Sequence, residues 1–284
     1  MLKQRVITAL VLLLILLPAL FYPSPEPFSA LALVLIAAGA WEWGRLNSCS
    51  QTVSLLGALV CVLLCGLSWN LGLLYRSVPL VWSVVGGLWV LAGGWLLRKG
   101  VPVWPSIPAG LRWAAGLGAL WATWLAVAQA RVIGINFLLS VLALVWMADI
   151  AAYFSGKAFG GRFSRGKLAP SISPGKSWEG VWGGMAGVVL LALGWRWADQ
   201  AWQVAEPSLY SRLGTHGVWF LLLAVLFLAT MSVVGDLVES LIKRSAGVKD
   251  SSGLLPGHGG VLDRVDALLP TLPLTMMLIS FATP

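Results

Sequence analysis

The chain has 284 residues, of which 58% are hydrophobic and 11% are charged, and its mean hydropathy is +0.86. A soluble core cannot absorb so many long apolar runs, so the composition excludes a soluble globular protein and predicts a polytopic membrane protein. The net charge of +8 is explained by membrane orientation and contact with anionic lipids, and we expect no nucleic-acid partner.

Nine apolar segments are each long enough to cross a membrane as a helix. They cover about residues 6–22, 28–44, 53–74, 79–97, 112–130, 133–154, 181–198, 217–238 and 267–283. No Ala-x-Ala cleavage site follows the first segment, so we expect it to be a retained span and not a signal peptide. The sequence therefore predicts an all-α fold with about nine transmembrane helices.

The cations predict the orientation of these spans. With the N-terminus in the cytoplasm, fifteen of the nineteen Lys and Arg residues fall in cytoplasmic segments. This asymmetry is the one that positive-inside insertion produces. It places two polar segments, residues 155–180 and 239–266, on the cytoplasmic side of the membrane.

The two halves of the chain differ in polarity. Residues 1–140 hold no convergent group of charges and are predicted to be a transmembrane scaffold, in which Glu42 pairs with Arg45 on the helix surface. Residues 141–284 contain both polar segments, and seven of the eleven acidic residues lie in or beside them. We therefore expect the catalytic region in residues 141–284.

The sixth span ends with an acidic residue inside an apolar run. Asp149 and Tyr153 are four residues apart and share one helical face. A carboxylate at membrane depth indicates a functional site, although a structural pair with a group such as Lys157 is an open alternative.

The segment from Ser173 to Ser177 imitates the end of a P-loop. It is not one, because the first glycine of that motif would fall on Pro170 and no strand is predicted before it. A turn that carries Lys176 and two hydroxyls nevertheless has the residue types that bind phosphate. Substrate binding and a solvated, lipid-facing loop are both open roles for the nearby cations Arg162, Arg165 and Lys167.

The residue spacing in the eighth span predicts that its helix has a polar face where it leaves the bilayer. Asp236, Glu239, Ser240 and Lys243 follow one another at helical spacing. A mid-span acid costs about 2.5–3.5 kcal/mol on insertion scales, so Asp236 is a candidate metal ligand. The alternative is an internal Asp–Lys pair that lets the helix end.

The next turn is rich in glycine and surrounds His258, a candidate donor to a phosphate or to a leaving group. Asp263 and Asp266 follow three residues apart, which suits Mg²⁺ ligands, although Asp266 is also placed to cap the last helix. Arg264 between them is a candidate phosphate ligand.

From Ser240 to Asp266, the chain resembles the signature of phosphatidate cytidylyltransferases, also called CDP-diacylglycerol synthases. That signature reads Ser-x-apolar-Lys-Arg, four residues, Lys-Asp, a small residue, then an apolar residue, Pro or Gly, x-His-Gly-Gly, apolar-x-Asp-Arg-apolar-Asp, and every fixed position is filled. The run from Ser173 to Gly180 is similar to a second segment of the same family, and Asp149 to Lys157 also looks like it.

The resemblance implies that CTP and phosphatidate give CDP-diacylglycerol and diphosphate, with Mg²⁺ as cofactor and a second cation left open. It implies a multi-pass protein of a bacterial-type inner membrane, with a cytoplasmic active site and an open question of homodimer formation. The predicted catalytic residues are Asp236, Asp263, Lys243 and His258. The predicted substrate-binding residues are Lys176, Ser177, Arg244, Lys249, Arg264, Ser173, Asp149 and Tyr153. The predicted metal ligands are Asp236, Asp263, Asp250 and Asp266.

Two other functions remain open alternatives at this point. Another lipid phosphotransferase, such as a CDP-alcohol phosphatidyltransferase, would need an Asp-Gly-x-x-Ala-Arg core, and no Asp-Gly dipeptide occurs in the chain. A secondary transporter would explain an acid inside a span, but not the dense phosphate-type loop, and no inverted repeat is visible.

Overall fold

The structure is a computed structural model that describes residues 2–164 and 166–282. The helices are α1 (Leu2–Phe21), α2 (Glu26–Leu46), α3 (Gln51–Asn70), α4 (Pro79–Lys99), α5 (Val103–Ser106), α6 (Ala109–Ile133), α7 (Ile135–Phe159), α8 (Trp178–Ala201), α9 (Leu209–Gly214), α10 (Val218–Ser245), α11 (Leu262–Val265) and α12 (Leu268–Ala282). A 3-10 turn covers Leu73–Tyr75, and two strands are β1 (Lys167–Ala169) and β2 (Ser173–Ser177).

Nine helical stretches within the described residues are long and apolar enough to cross a membrane, which confirms the predicted fold class. The last of these spans joins α11 and α12 over Leu262–Phe281. Two spans that carry site residues run further than their apolar segments predicted, since α7 reaches Phe159 and α10 reaches Ser245. The predicted polar face of α10 is therefore part of one continuous helix.

Small residues allow α8 to pack closely against α7. A Cβ atom added to Gly184 would lie 2.8 Å from the carbonyl oxygen of Ala148, and one added to Gly180 would lie 3.1 Å from that of Ala152. Such small side chains let two membrane helices approach, and here they bring the first turn of α8 beside the end of α7.

A second close approach joins α10 to the last span. A Cβ atom on Gly235 would lie 2.5 Å from the carbonyl oxygen of Asp266 and 2.8 Å from the ring of Pro270. Because only glycine permits this distance, the neighbouring Asp236 is held next to the break between α11 and α12.

The polar segment before α8 contains a small antiparallel hairpin, in which Lys167 pairs with Ser177 and Ala169 with Ser173. We did not predict these strands, because Pro174 and Gly175 inside β2 are turn-forming residues. The hairpin leads directly into α8, where the hydroxyl of Ser177 accepts a hydrogen bond from the N–H of Gly180 at 3.2 Å and caps the helix.

Candidate active site

A cavity of about 470 Å³ lies between the end of α7, the hairpin, the start of α8 and the middle of α10. Five predicted site residues from three separate parts of the sequence line it, namely Asp149, Tyr153, Lys176, Ser177 and Asp236. Small and apolar residues complete the wall. The cavity is therefore the place where the fold brings the predicted polar groups together.

The central contact of the cavity is an ion pair between the hairpin and α10. The ammonium of Lys176 donates to Oδ2 of Asp236 at 2.5 Å, and the two side chains are 26% and 28% exposed. The hydroxyl of Ser240 donates to Oδ1 of Asp236 at 3.3 Å. The ion-pair partner of Asp236 thus comes from 60 residues away. The alternative interpretation, in which Asp236 pairs with a lysine of its own helix, is wrong. Because the pair is partly exposed, a phosphate has access to the ammonium.

Further carboxylates surround this pair. Asp149 and Asp266 lie within electrostatic reach of Asp236 and of each other, and Asp149 is also within reach of Lys176. Oδ1 of Asp266 accepts a hydrogen bond from the N–H of Ala267 at 2.7 Å, in the break between α11 and α12, and the capping role for Asp266 stays an open alternative. Asp149 and Asp236 line the cavity together with Lys176, whereas Asp266 is not part of its wall.

Tyr153 and Lys157 form another contact on α7. The ammonium of Lys157 lies 6.0 Å from the centre of the Tyr153 ring. Tyr153 is 63% exposed, so its ring is available to a ligand in the cavity. Lys157, which the sequence left open as a partner for Asp149, therefore lies against the Tyr153 ring.

A second cavity of about 600 Å³ opens beside the first and shares Gly156, Gly175 and Ser177 with it. Arg162 and Lys167 contribute positive charge to its wall. Arg165, whose role was also left open, lies outside the described residues. The two cavities together offer space for a ligand longer than one phosphate group.

Glu179, on the first turn of α8, holds the glycine-rich turn of this second cavity. The side chain is buried. Its Oε1 accepts hydrogen bonds from the N–H groups of Phe163 at 3.1 Å and Ser164 at 2.8 Å, and from the hydroxyl of Ser164 at 2.9 Å. The acidic residue of the second family segment therefore shapes the wall of the cavity.

A buried ionic cluster lies next to the signature loop, which is formed by residues 246–261 between α10 and α11. Lys243 pairs with Glu239 on its own helix and donates to Oδ1 of Asp263 at 2.5 Å, and these side chains are only 12%, 5% and 6% exposed. Oδ2 of Asp263 accepts from the N–H of Gly260 at 2.8 Å, and from the N–H and hydroxyl of Ser251 at 2.9 and 3.0 Å. Asp263 thus holds the loop together, and its predicted roles in catalysis and metal binding stay predictions.

The remaining residues predicted from the signature do not line either cavity. The guanidinium of Arg264 donates to the carbonyl oxygen of His258 at 2.9 and 2.6 Å, so it closes the glycine turn. Nδ1 of His258 is buried and has no hydrogen-bond partner among the described residues. Arg244 at the end of α10 is exposed, as are Lys249 and Asp250 in the signature loop. Ser173, which belongs to the second family segment, is half-buried in the hairpin and also lies outside both cavities.

The site also involves a residue of the first half that we assigned to a helix-surface pair. Glu42 is completely buried and accepts four hydrogen bonds from residues 251–262. The predicted pair with Arg45 is wrong, because the guanidinium of Arg45 lies 4.9 Å from the ring centre of Trp41 instead. An acid inside an apolar span was the signal that we used for Asp149, and it would have identified Glu42 as well.

A metal ion at this site would need ligands from water or from the substrate besides those of the protein. Within the part of the chain that the structure describes, no three His, Cys, Asp or Glu side chains are grouped closely enough to hold one. Mg²⁺ usually takes one or two carboxylates and completes its shell with water and substrate phosphates. Asp236 and Asp149, which both line the cavity, could supply these one or two carboxylates.

Comparison with known proteins places the chain among enzymes that use CTP. It matches the model of the cytidylyltransferase family over residues 3–282. It is 40% identical to the phosphatidate cytidylyltransferase of Pseudomonas aeruginosa, over 98% of this chain and 97% of that protein. It is 37% identical to the protein of the same name from Haemophilus influenzae, over 96% of each chain. The protein of that name from Bacillus subtilis is 39% identical over 52% of this chain and 48% of its own length.

Proposed function

The chain belongs to the cytidylyltransferase family, and on that premise we propose that this membrane protein transfers the cytidylyl group of CTP to phosphatidate, giving CDP-diacylglycerol and diphosphate. The observation that carries the assignment is the cavity in which Lys176 and Asp236 meet within the membrane-spanning bundle. Such a site suits one substrate that is anchored in the lipid and another that is soluble and highly charged. The relatives named above share this activity by name.

In the proposed reaction, a phosphate oxygen of phosphatidate attacks the α-phosphorus of CTP. A new P–O bond forms there, the bond from the α-phosphorus to the bridging oxygen of the β-phosphate breaks, and diphosphate leaves with that oxygen. The second pKa of a phosphate monoester is near 6, so the nucleophile is largely anionic at neutral pH and needs no general base. The protein then contributes positioning and neutralisation of charge.

We assign the CTP phosphates to Lys176 and the start of α8. Lys176 is half-buried and already paired with the carboxylate of Asp236. A CTP phosphate would take the place of this carboxylate, so binding would cost little further desolvation of the ammonium. Ser177 precedes a helix of 24 residues, whose first N–H groups and dipole favour an anion at this end. The second cavity, with Arg162 and Lys167, extends the site beyond these groups.

Mg²⁺, when bound, would neutralise and orient the CTP phosphates. Asp236 is the carboxylate best placed to hold it, because it is partly exposed in the cavity and Asp149 lies within electrostatic reach. Asp263 would first have to release Lys243, since its other oxygen already accepts three hydrogen bonds. Asp250 and Asp266 are proposed only as supports.

We further propose that the site faces the cytoplasm from the inner membrane. The distribution of Lys and Arg supports this orientation, and the relatives are bacterial proteins. CTP is a cytoplasmic metabolite, so the soluble substrate would reach the cavity from that side.

The test is an assay of the purified protein in detergent micelles with labelled CTP and phosphatidate. We expect equal amounts of CDP-diacylglycerol and diphosphate, no product when diacylglycerol replaces phosphatidate, and no turnover in excess chelator. Absence of CDP-diacylglycerol in the presence of magnesium would refute the function. Full turnover in chelator would refute only the metal.

A further inference from the structure

We propose that Glu42, on α2 in the first half of the chain, is a positioning residue for the loop that carries Asp263. The expected effect on catalytic rate rests on the proposed function, whereas the expected effect on the loop does not. Glu42 lines neither cavity, so it would act through the loop and not by contact with a substrate. The proposal assigns part of the active-site geometry to residues 1–140, which the sequence predicted to be scaffold.

Among the described residues, the Glu42 carboxylate accepts its hydrogen bonds from groups far away in sequence. Oε1 accepts hydrogen bonds from the hydroxyl of Ser252 at 2.5 Å and the N–H of Val261 at 2.9 Å. Oε2 accepts from the hydroxyl of Ser251 at 3.1 Å and the N–H of Leu262 at 2.8 Å. The carboxylate therefore holds both ends of the loop at once.

These bonds complete the beginning of α11. The first N–H groups of a helix have no partner within the helix, and Val261, at the cap position, supplies no side-chain hydrogen bond. Glu42 accepts from two of these groups across the interface between α2 and α11. The next residue is Asp263, so the carboxylate of Glu42 sets the position from which the Asp263 side chain extends.

Ser251 links the two carboxylates. Its hydroxyl lies 3.1 Å from Oε2 of Glu42 and 3.0 Å from Oδ2 of Asp263, and its single proton serves one of them at a time. Gly260 lies so close to Glu42 and Ser251 that a Cβ atom at this position would overlap both side chains. A continuous set of contacts thus runs from Glu42 through Ser251 to Asp263 and then to Lys243 on α10.

The substitution Glu42→Gln isolates this role. Glutamine keeps the size of the side chain but replaces one acceptor oxygen with an NH₂ group. A serine hydroxyl can rotate to accept from that group, whereas the N–H of Val261 or Leu262 cannot. Whichever way the amide turns, one backbone donor faces another donor, and the start of α11 loses its partner.

The matched control is Glu26→Gln, the same change on the same helix. Glu26 accepts a hydrogen bond from the hydroxyl of Tyr75 at 2.6 Å, far along α2 from the signature loop. Both variants and the wild-type protein would be purified in detergent. Measurements would cover kcat, KM for CTP, thermal unfolding, and hydrogen exchange of residues 251–262.

For Glu42→Gln we expect kcat per folded enzyme to fall about ten- to a hundredfold, the range for one charge-assisted hydrogen bond. KM for CTP should change less than about threefold, because Glu42 does not touch the cavity. Amides in residues 251–262 should exchange faster in this variant. Glu26→Gln should leave all three quantities close to the wild-type values.

A purely structural role would lower the unfolding temperature but leave kcat per folded enzyme and local exchange unchanged, and that result would overturn the proposal. If Glu42→Gln does not fold, Ser252→Ala removes one donor and should give a smaller fall in kcat with faster exchange in the same loop. Unchanged values in Ser252→Ala would then overturn it. If the wild-type protein makes no CDP-diacylglycerol but Glu42→Gln still loosens the loop, the proposed function fails and the positioning role stands.

Discussion

Replacing Lys176 with methionine tests the assignment of the cavity to CTP. The ammonium of Lys176 is 2.5 Å from Oδ2 of Asp236, and about a quarter of each side chain is exposed. Asp149 is also within electrostatic reach of this ammonium. Lys176→Met keeps an apolar stem of similar length, so it removes the charge while filling most of the same space.

The change has two effects of opposite sign. Loss of a charge-assisted hydrogen bond to a phosphate costs about 1.5–3 kcal/mol, which lowers kcat/KM for CTP about ten- to a hundredfold. Loss of the ammonium also removes a positive charge that would compete with a metal ion for Asp236. After screening by solvent, this effect is about 1 kcal/mol, so the magnesium concentration for half-maximal rate should fall about fivefold.

The assay is steady-state turnover at varied CTP, phosphatidate and magnesium concentrations. Lys99→Met is the control, because it removes the same charge at the end of α4, outside both cavities. An impaired dependence on phosphatidate with an unchanged dependence on CTP would show that Lys176 binds the other substrate. Unchanged dependence on both would show that its pair with Asp236 is structural, and the reasoning would be refuted.

Two further predictions separate the acids and test the orientation. Asp236→Asn should remove most activity and leave thermal stability near wild type. Asp263→Asn should also lower the unfolding temperature, because it weakens the buried contact with Lys243 and the hydrogen bonds from Ser251 and Gly260, and one hydrogen bond to a charged group is worth about 1.5–3 kcal/mol. Equal stability of the two variants would contradict this distinction. The orientation is tested with single cysteines at two exposed positions, Phe163→Cys and Leu254→Cys, in a protein without its native cysteines. Both cysteines should react with membrane-impermeant thiol reagents only after the membrane is opened. Labelling in sealed cells would contradict a cytoplasmic site.

The sequence by itself determined the fold class and the family. Span length and hydropathy are local properties, so the nine spans could be read without knowing how the helices pack. The signature from Ser240 to Asp266 likewise depends on spacing along the chain. The same reasoning did not predict the hairpin, because Pro174 and Gly175 favour turns and their strand pairing depends on partners across the loop.

The site needed the tertiary structure, since its contacts join residues that are distant in sequence. Lys176 meets Asp236 across 60 residues, and no local pattern distinguishes that pair from one within α10. Glu42 meets Val261 and Leu262 across 219 and 220 residues, although its helical neighbour Arg45 was the simpler partner by spacing. Helical periodicity shows which residues share a face, but only the packing of α2, α10 and the signature loop decides which distant groups that face meets.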